Sequence, residues 1–318
     1  DERFPFPSYP DDWFRIGYSD ELVPGDIRPL KYFGKDLVLF RTERGDAVLL
    51  DAHCPHLGAH LGHGGRVVGE CVECPFHAWQ FESDGAVAAI PYAEKIPARA
   101  RVHSWEVRET NGHIFTWYHG TGKAPSWEIP TLSHYGSEDW TPFVRRSWKV
   151  RSRNQELAEN SVDTAHFRYL HGTTNVPPAQ ARADGPRFIS EAKPDMTTPR
   201  GGVTGGLRVV EYGFGFTTVH FTGIVETVNV VSTTPIDEEH VEVHFNFTLR
   251  KTGNVSTDRG VGKAIVAEVS RQVEQDIPIW ENKSFIARPL LCDGDGPIGL
   301  FRSWARQFYS SAQEGAAG

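Results

Sequence analysis

"CPHLGAHLGHGG", residues 54–65, and "CPFHAW", residues 74–79, decide how the first part of this chain is read. Each stretch brings together one cysteine and one histidine: Cys54 with His56, and Cys74 with His77. Two cysteines and two histidines hold either zinc or a [2Fe–2S] cluster. Zinc sites commonly pair cysteine with cysteine and histidine with histidine. Mixed pairs suit a cluster in which one iron takes both thiolates and the other takes both imidazoles. Structural zinc and chance spacing are the competing readings. Gly58, Gly62, Gly64 and Gly65 let backbone N–H groups approach the sulfides, and a proline after each cysteine stiffens the loop entry.

The flanking sequence is built of short strands. "LKYFGKDLVLFRTERGDAVLLDAHC" reads as three strands with turns at Gly34-Lys35-Asp36 and Arg44-Gly45-Asp46. "VHSWEVRETNGHIFTWYH" reads as a hairpin around Asn111-Gly112. Residues 121–140 have the texture of a connection. From about residue 146 the character changes. "RSRNQELAENSVDTAHFRYLH" has helical spacing, residues 172–206 read as a Gly/Pro-rich loop, and residues 207–250 form a second run of strands with "TPIDEEH" as a turn. Residues 261–285 read as a long helix, which Pro278 kinks or restarts. The fold class is therefore α+β.

The 318 residues fit one large domain or two of ordinary size. A net charge of −8 argues against binding nucleic acid or anionic lipid through a basic patch. No apolar run approaches the roughly 18–20 residues of a membrane helix. The start lacks the basic and apolar regions of a signal peptide, and the first residue is not Met, which fits residues missing before it. Four cysteines in so long a chain are too few for a disulfide framework, so a reducing, cytoplasmic setting is expected.

The paired loops resemble the Rieske motif, C-x-H followed by C-x-x-H, including the Trp of "CPFHAW". Respiratory Rieske proteins brace the loops with a disulfide whose cysteine stands where this chain has Gly58. The resemblance is thus to the oxygenase and ferredoxin group. It implies a cluster held by Cys54, His56, Cys74 and His77. With those four positions filled, His53, His60 and His63 are read as loop or interface histidines. Ala78 departs from the glycine that many relatives carry.

A ferredoxin would end near residue 120, so the remaining chain needs another purpose. In "ENSVDTAHFRYLH", residues 159–171, Asp163 and His166 would share a face of one helix. His166 and His171 are badly spaced for one regular helix, so His171 is expected to leave the helix end. Glu159, Asp163, His166 and His171 resemble the E/D-x3-D-x2-H-x4-H pattern of the Rieske non-haem iron oxygenases. Two histidines and a carboxylate form the facial triad of non-haem Fe(II). The candidate carboxylate is Asp276 in "VEQDIPIW", with Glu274 as runner-up; the resemblance favours Asp276. It also implies that Asp163 links a cluster histidine of one subunit to His166 of the next, within a homotrimer. Asn160 is a candidate support for the same helix.

The resemblance covers nearly the whole chain. "ARPLLCDGDGPIGLFRSWARQFY" is similar to the 3-ketosteroid 9α-hydroxylases, and the metal loops with "IPYAEKIP" are similar to the cholesterol 7-desaturases. It implies an all-β Rieske [2Fe–2S] domain over residues 12–125, with residues 126–318 forming a catalytic mononuclear iron domain. In that second domain an antiparallel sheet is packed by helices in a helix-grip, START-like arrangement, with residues 1–11 against it. The activity implied is that of a terminal oxygenase that hydroxylates or desaturates a hydrophobic, steroid- or sterol-like substrate with O2. No G-x-G-x-x-G follows a strand, so electrons from NAD(P)H are expected through a separate flavin and iron–sulfur reductase. The alternation in "YGFGFTTVHFTGIVETVNVV" offers one face to a substrate cavity, with Phe214, Phe216, Phe221 and Trp280 as candidate lining. Two rivals stand beside this reading. One is an oxygenase of small aromatic acids or methoxyarenes, anchored by Arg182, Arg187, Arg200 or Arg208. The other is an electron carrier with a ligand-binding half.

Overall fold

The computed structural model describes residues 3–176, 178–198 and 201–310. The chain divides into two compact units, one of Phe14–Trp117 with Ile236–Glu238, the other of Asp1–Trp13, Tyr118–Pro235 and Glu239–Gly318.

The first of these units is made of short antiparallel strands. One four-stranded sheet runs in the order Ile27–Tyr32, Lys35–Arg41, Ala47–Asp51, Ser104–Trp105. A second runs Arg66–Val68, Cys71–Glu73, Gln80–Phe81, Val87–Ala89. The apolar run Leu37–Phe40 is buried on both faces. Val38 and Phe40 join Val48, Leu50, Val72 and Phe81 in the core that also contains Cys54 and Cys74. The Asn111-Gly112 turn has the expected geometry, with both residues at positive φ (53° and 74°), which matches the strand twist. The earlier turn lies one residue before its expected place. Phe33 and Gly34 take the positive φ values, 55° and 68°, and the strand resumes at Lys35. The Phe33 ring is held there by stacking on Trp105 at 5.6 Å.

The second unit is organised on a seven-stranded antiparallel sheet. Its order is Val144–Val150, Val241–Leu249, Thr227–Pro235, Phe216–Thr222, Gly206–Tyr212, Arg187–Ala192, Gln180–Asp184. Residues 172–206 are therefore not simply a loop, since they supply the edge strand Gln180–Asp184, its inner neighbour Arg187–Ala192 and the hairpin Asp195–Thr198 with Gly201–Thr204. The outermost strand, "QARAD", is largely exposed and carries no apolar alternation, so its sequence has no strand signature.

Among the described residues four α-helices accompany the sheet: α1 (Asn154–Ala158), α2 (Ala165–Tyr169), α3 (Val255–Asn282) and α4 (Ile298–Ala305). The stretch expected to be one helix is thus α1, a 3-10 turn at Glu159–Ser161, and α2. Helix α3 begins earlier than its periodicity suggests, where the Asn254 side chain accepts a bond from the Thr257 N–H at 3.0 Å. It continues through Pro278 to Asn282. Val273 and Trp280 of α3 pack with Val150, Val241 and Val243 of the sheet. Phe301 and Trp304 of α4 pack with Phe188 and Phe214. Among the described residues, no helix is long and apolar enough to cross a membrane.

Candidate metal centres

The two Cys-His loops are folded alike. In the first, the Cys54 N–H donates to the Ala59 carbonyl and the Gly58 N–H donates back to Cys54, both at 2.9 Å. In the second, the Cys74 N–H donates to the Trp79 carbonyl at 2.8 Å and the Ala78 N–H donates to Cys74 at 3.1 Å. Gly58 and Ala78 occupy matching places and both have positive φ, 79° and 55°. Gly65 is required by space: a Cβ there would meet the Leu61 carbonyl oxygen at 2.1 Å.

These loops bring Cys54, His56, Cys74 and His77 together. Both cysteines are buried and free. The His56 and His77 rings lie 4.6 Å apart, and His56 stacks on Trp79 at 4.8 Å. Trp79 is fixed in turn by donating to the Tyr92 hydroxyl at 2.8 Å. Burial, together with the neighbouring Cys74, pushes the Cys54 thiol up to about 11. The Nδ1 atom of His56 is buried without a hydrogen-bond partner, which is costly for a polar nitrogen unless something else binds it. Two thiols, two imidazoles and that orphaned nitrogen fit a [2Fe–2S] cluster. The other loop histidines are engaged elsewhere. His53 contacts the Gly58 carbonyl at 3.1 Å and Asp36 at 3.3 Å, while His60 Nδ1 accepts from the Gly62 N–H at 3.0 Å. His63 packs its ring on His60 at 4.4 Å.

In the other unit, His166, His171 and Asp276 each offer a ligand atom, and these atoms lie within 4.8 Å of one another. His166 is on α2. His171 follows its end, where the backbone has left the helix, as the five-residue spacing requires. Asp276 is buried on α3, whereas Glu274 is exposed on the other side of that helix. The outer nitrogen of each imidazole is committed. His166 Nδ1 donates to the Asp163 carbonyl oxygen, and His171 Nδ1 donates to Gln275 Oε1 at 3.1 Å. Both Nε2 atoms are thereby aimed inward, the usual arrangement behind metal-binding histidines. His171 Nε2 is 3.3 Å from Asp276 Oδ1. Burial works to lower His171, but Asp276 and Gln275 outweigh it and the net shift is upward; His166 is shifted down, chiefly by burial. Asn160 bridges the group, 3.2 Å from His166 Nε2 and 3.4 Å from Asp276 Oδ2.

Asp163 differs from the helical reading. It precedes α2 instead of sharing a helix face with His166. Its side chain is 41% exposed, so it is not buried within the protomer, and its carboxylate lies 3.8 Å from His166 Nδ1. Glu159 points away from the triad and forms a two-pronged ion pair with Arg302 at 2.6 and 2.8 Å.

The triad sits in the wall of a mostly apolar cavity of about 190 Å³. The sheet contributes Leu207, Val209, Val219, Phe221 and Phe245, and α3 contributes Val273 and Trp280. Of the four aromatic residues expected there, Phe214, Phe221 and Trp280 line the cavity. Phe216 does not. It lies on the opposite face of its strand, buried against Tyr212 at 5.7 Å. No arginine or lysine among the described residues lines the cavity. Arg182 is exposed, Arg187 pairs with Asp184 and Arg208 with Glu191; Arg200 lies outside the described residues. Sequence reasoning missed three contributors: Gln275, the buried Glu211, and Gly296. A Cβ on Gly296 would lie 1.7 Å from the Val162 carbonyl oxygen, directly before Asp163.

Residues 12–120 match the Rieske [2Fe-2S] domain, and residues 116–309 match the 3-Ketosteroid 9alpha-hydroxylase C-terminal domain. The chain is 33% identical over 334 residues to cholesterol 7-desaturase nvd 1 of Ciona intestinalis, covering 96% of this chain and 69% of that protein. It is 31% identical over 331 residues to a probable 3-ketosteroid-9-alpha-monooxygenase, oxygenase component, of Rhodococcus rhodochrous, covering 96% and 81%. Among solved structures, NdmA of Pseudomonas putida CBB5 with caffeine superposes with a TM-score of 0.79 at 20% identity, covering 95% of this chain and 91% of that one. Dicamba monooxygenase bound to 3,6-dichlorosalicylic acid gives 0.78 at 17%, covering 98% and 100%. At these identities the two structures speak for the fold alone. The cofactors of the family are the Rieske [2Fe–2S] cluster and non-haem Fe(II). The paired loops, the inward-facing triad and the two domain matches agree, and this chain belongs to the Rieske non-haem iron oxygenases, in the branch that contains the 3-ketosteroid 9α-hydroxylases and the cholesterol 7-desaturases.

Proposed function

We propose that the protein is the terminal oxygenase of a multicomponent system that hydroxylates or desaturates a steroid- or sterol-like polycyclic substrate. The observation that carries this reading is the triad of His166, His171 and Asp276 in the wall of an apolar cavity without a cationic anchor. The absence of a lining cation among the described residues disfavours small aromatic acids, whose carboxylate would need one. At about 190 Å³ the cavity is smaller than the ~300–1,000 Å³ usual for ligand pockets, so a polycyclic substrate requires lining side chains to move outward.

In this reading Cys54, His56, Cys74 and His77 hold the [2Fe–2S] cluster within residues 12–125. His166, His171 and Asp276 hold Fe(II) within residues 126–318. The two centres supply electron storage and O2 activation. The chain's own groups do the rest. Asp163 and Gln275 fix the tautomer of the two histidines, Asn160 steadies Asp276 and His166, and the hydrocarbon lining excludes water and presents a C–H bond to the iron side of the cavity. Electrons come from NAD(P)H through a flavin and iron–sulfur reductase. Leu57, Phe76 and Tyr92, exposed by 64%, 60% and 61% around the cluster loops, give a partner an apolar surface to meet. We assign Asp163 the link between centres of neighbouring subunits in a homotrimer. Its exposed carboxylate, beside the His166 Nδ1, is available to another chain. Four free cysteines suit a cytoplasmic setting.

The test is a panel of sterols, ketosteroids and aromatic acids, incubated with the iron-loaded protein, reductase and O2, with product mass as the readout. A gain of one oxygen identifies hydroxylation, and a loss of two hydrogens identifies desaturation. Turnover of aromatic acids alone overturns the steroid reading. An iron content of about two per chain, in place of about three, points to a pure electron carrier.

A further inference from the structure

The strand Gly206–Tyr212 turns Leu207, Val209 and Glu211 toward the cavity. Two of these are hydrocarbon, and the third is a carboxylic acid exposed by only 1%. The Ser161 hydroxyl donates to Glu211 Oε1 at 2.7 Å. Oε2 is buried with no partner. Across the sheet Glu211 is paired with Phe188 and Thr217, which bring no charge to it. Among the described residues no cation pairs with it.

A purely structural role accounts poorly for this arrangement. A buried carboxyl that serves the fold has both oxygens satisfied, because a free one loses its hydration without return. Here one oxygen is left over in the wall of a cavity whose other sheet residues are largely apolar. Asn154 carries the other unpartnered buried oxygen of the lining, but its amide is spent on the Phe214 and Thr233 carbonyls, so it can only accept. Glu211 is different. Burial pushes it up to about 8, so near neutral pH it keeps its proton and can donate as well as accept.

We infer that Glu211 is the polar anchor of the cavity, its free Oε2 hydrogen-bonding the oxygen function of a flat, uncharged substrate. A ketone would accept from it, and a hydroxyl would donate to it. A carboxylate ligand would be repelled once Glu211 ionised, with no cation to compensate. This inference rests on the steroid reading above and specifies which end of the substrate is recognised. Glu211 is a specificity residue, acting through substrate position and not through the metal.

The experiment compares dissociation constants of the iron-loaded protein for a 3-ketosteroid, the matching 3-hydroxysteroid and the parent hydrocarbon. The wild type is expected to prefer both oxygenated ligands by at least about tenfold, or about 1.4 kcal/mol. Glu211→Gln keeps a donor and an acceptor and should retain that preference. Glu211→Met should bring it near unity while leaving hydrocarbon affinity within a few-fold. Melting curves and iron content verify that each variant is folded. An equal loss for all three ligands in Glu211→Met overturns the anchor and assigns Glu211 to structure. A second measurement needs no variant: the wild type's ketone preference should be largest near pH 6 and fall above about pH 8, since Ser161, Phe188 and Thr217, which face Glu211, do not titrate there. A pH-independent preference contradicts a proton on Glu211 as the donor. If the wild type binds all three ligands equally, the anchor alone fails; if it binds none, the steroid reading fails with it.

Discussion

Ala78 stands in the second cluster loop where Gly58 stands in the first, and both backbones are left-handed. A side chain in that region costs about 1–2 kcal/mol, partly offset because glycine loses more freedom on folding. Ala78→Gly should therefore stabilise the cluster-bearing unit by about 1 kcal/mol, read as a rise in its melting temperature with the visible spectrum unchanged. Glu211 gives a prediction of the opposite kind. Its carboxyl is held at about 8, against 4.5 in the ordinary state. Between those values the folded chain keeps a proton that the unfolded chain has released. Its contribution to stability is complete below about pH 4.5 and is lost as pH rises through about 8, with a slope of at most about 1.4 kcal/mol per pH unit. Glu211→Gln removes that slope. The variant's melting temperature should gain on the wild type steadily from about pH 5 to 8, and parallel curves would show that Glu211 is ionised throughout.

At the scale of elements, the iron triad depends on how the broken segment between α1 and α2 is held. Contacts with the C-terminal region hold it, two of them specific. Gly296 lets the chain pass against the Val162 carbonyl, and Arg302 of α4 grips the buried Glu159. Gly296→Ala leaves no room for its Cβ, so the Val162–Asp163 backbone must shift and carry the His166 anchor with it. The expected result is a loss of mononuclear iron, measured as iron per chain, while the cluster absorbance persists. Arg302→Met strands a buried carboxylate and should cost about 3 kcal/mol, visible in urea unfolding. Both positions lie in "CDGDGPIGLFR", which the sequence alone recommends only by resemblance. The structure supplies a physical reason for its glycine and its arginine.

On the scale of the whole molecule, function depends on electrons moving between two kinds of iron site. His77→Ala should abolish the visible and EPR signature of the cluster; if the signature survives, His53, His60 or His63 is the ligand in its place. Asp163→Ala should leave both metals loaded and the cluster reducible but cut turnover by orders of magnitude. Unchanged turnover would falsify its assignment as the link between centres. The carboxylate's exposure suits a role completed by another chain, and that role is separate from the Asp163 carbonyl, which already orients His166.

The sequence by itself determined the two Cys-His loops, because the four proposed cluster ligands and their turn residues are local and lie within one short stretch. It also determined His166 and His171 as a pair that no single regular helix could serve. The strand-rich halves were legible wherever apolar residues alternate, and illegible in the exposed edge strand Gln180–Asp184. Three things needed the tertiary structure. The resemblance favoured Asp276 over Glu274, but the physical reason, which side of α3 is buried, needed the fold. Phe216 was excluded from the cavity by the pleat of its strand, because alternation names two faces without saying which one meets the helix. Glu211 and Gly296 emerged only from contacts between residues distant in the chain, where burial, an unpaired oxygen and a missing Cβ acquire meaning.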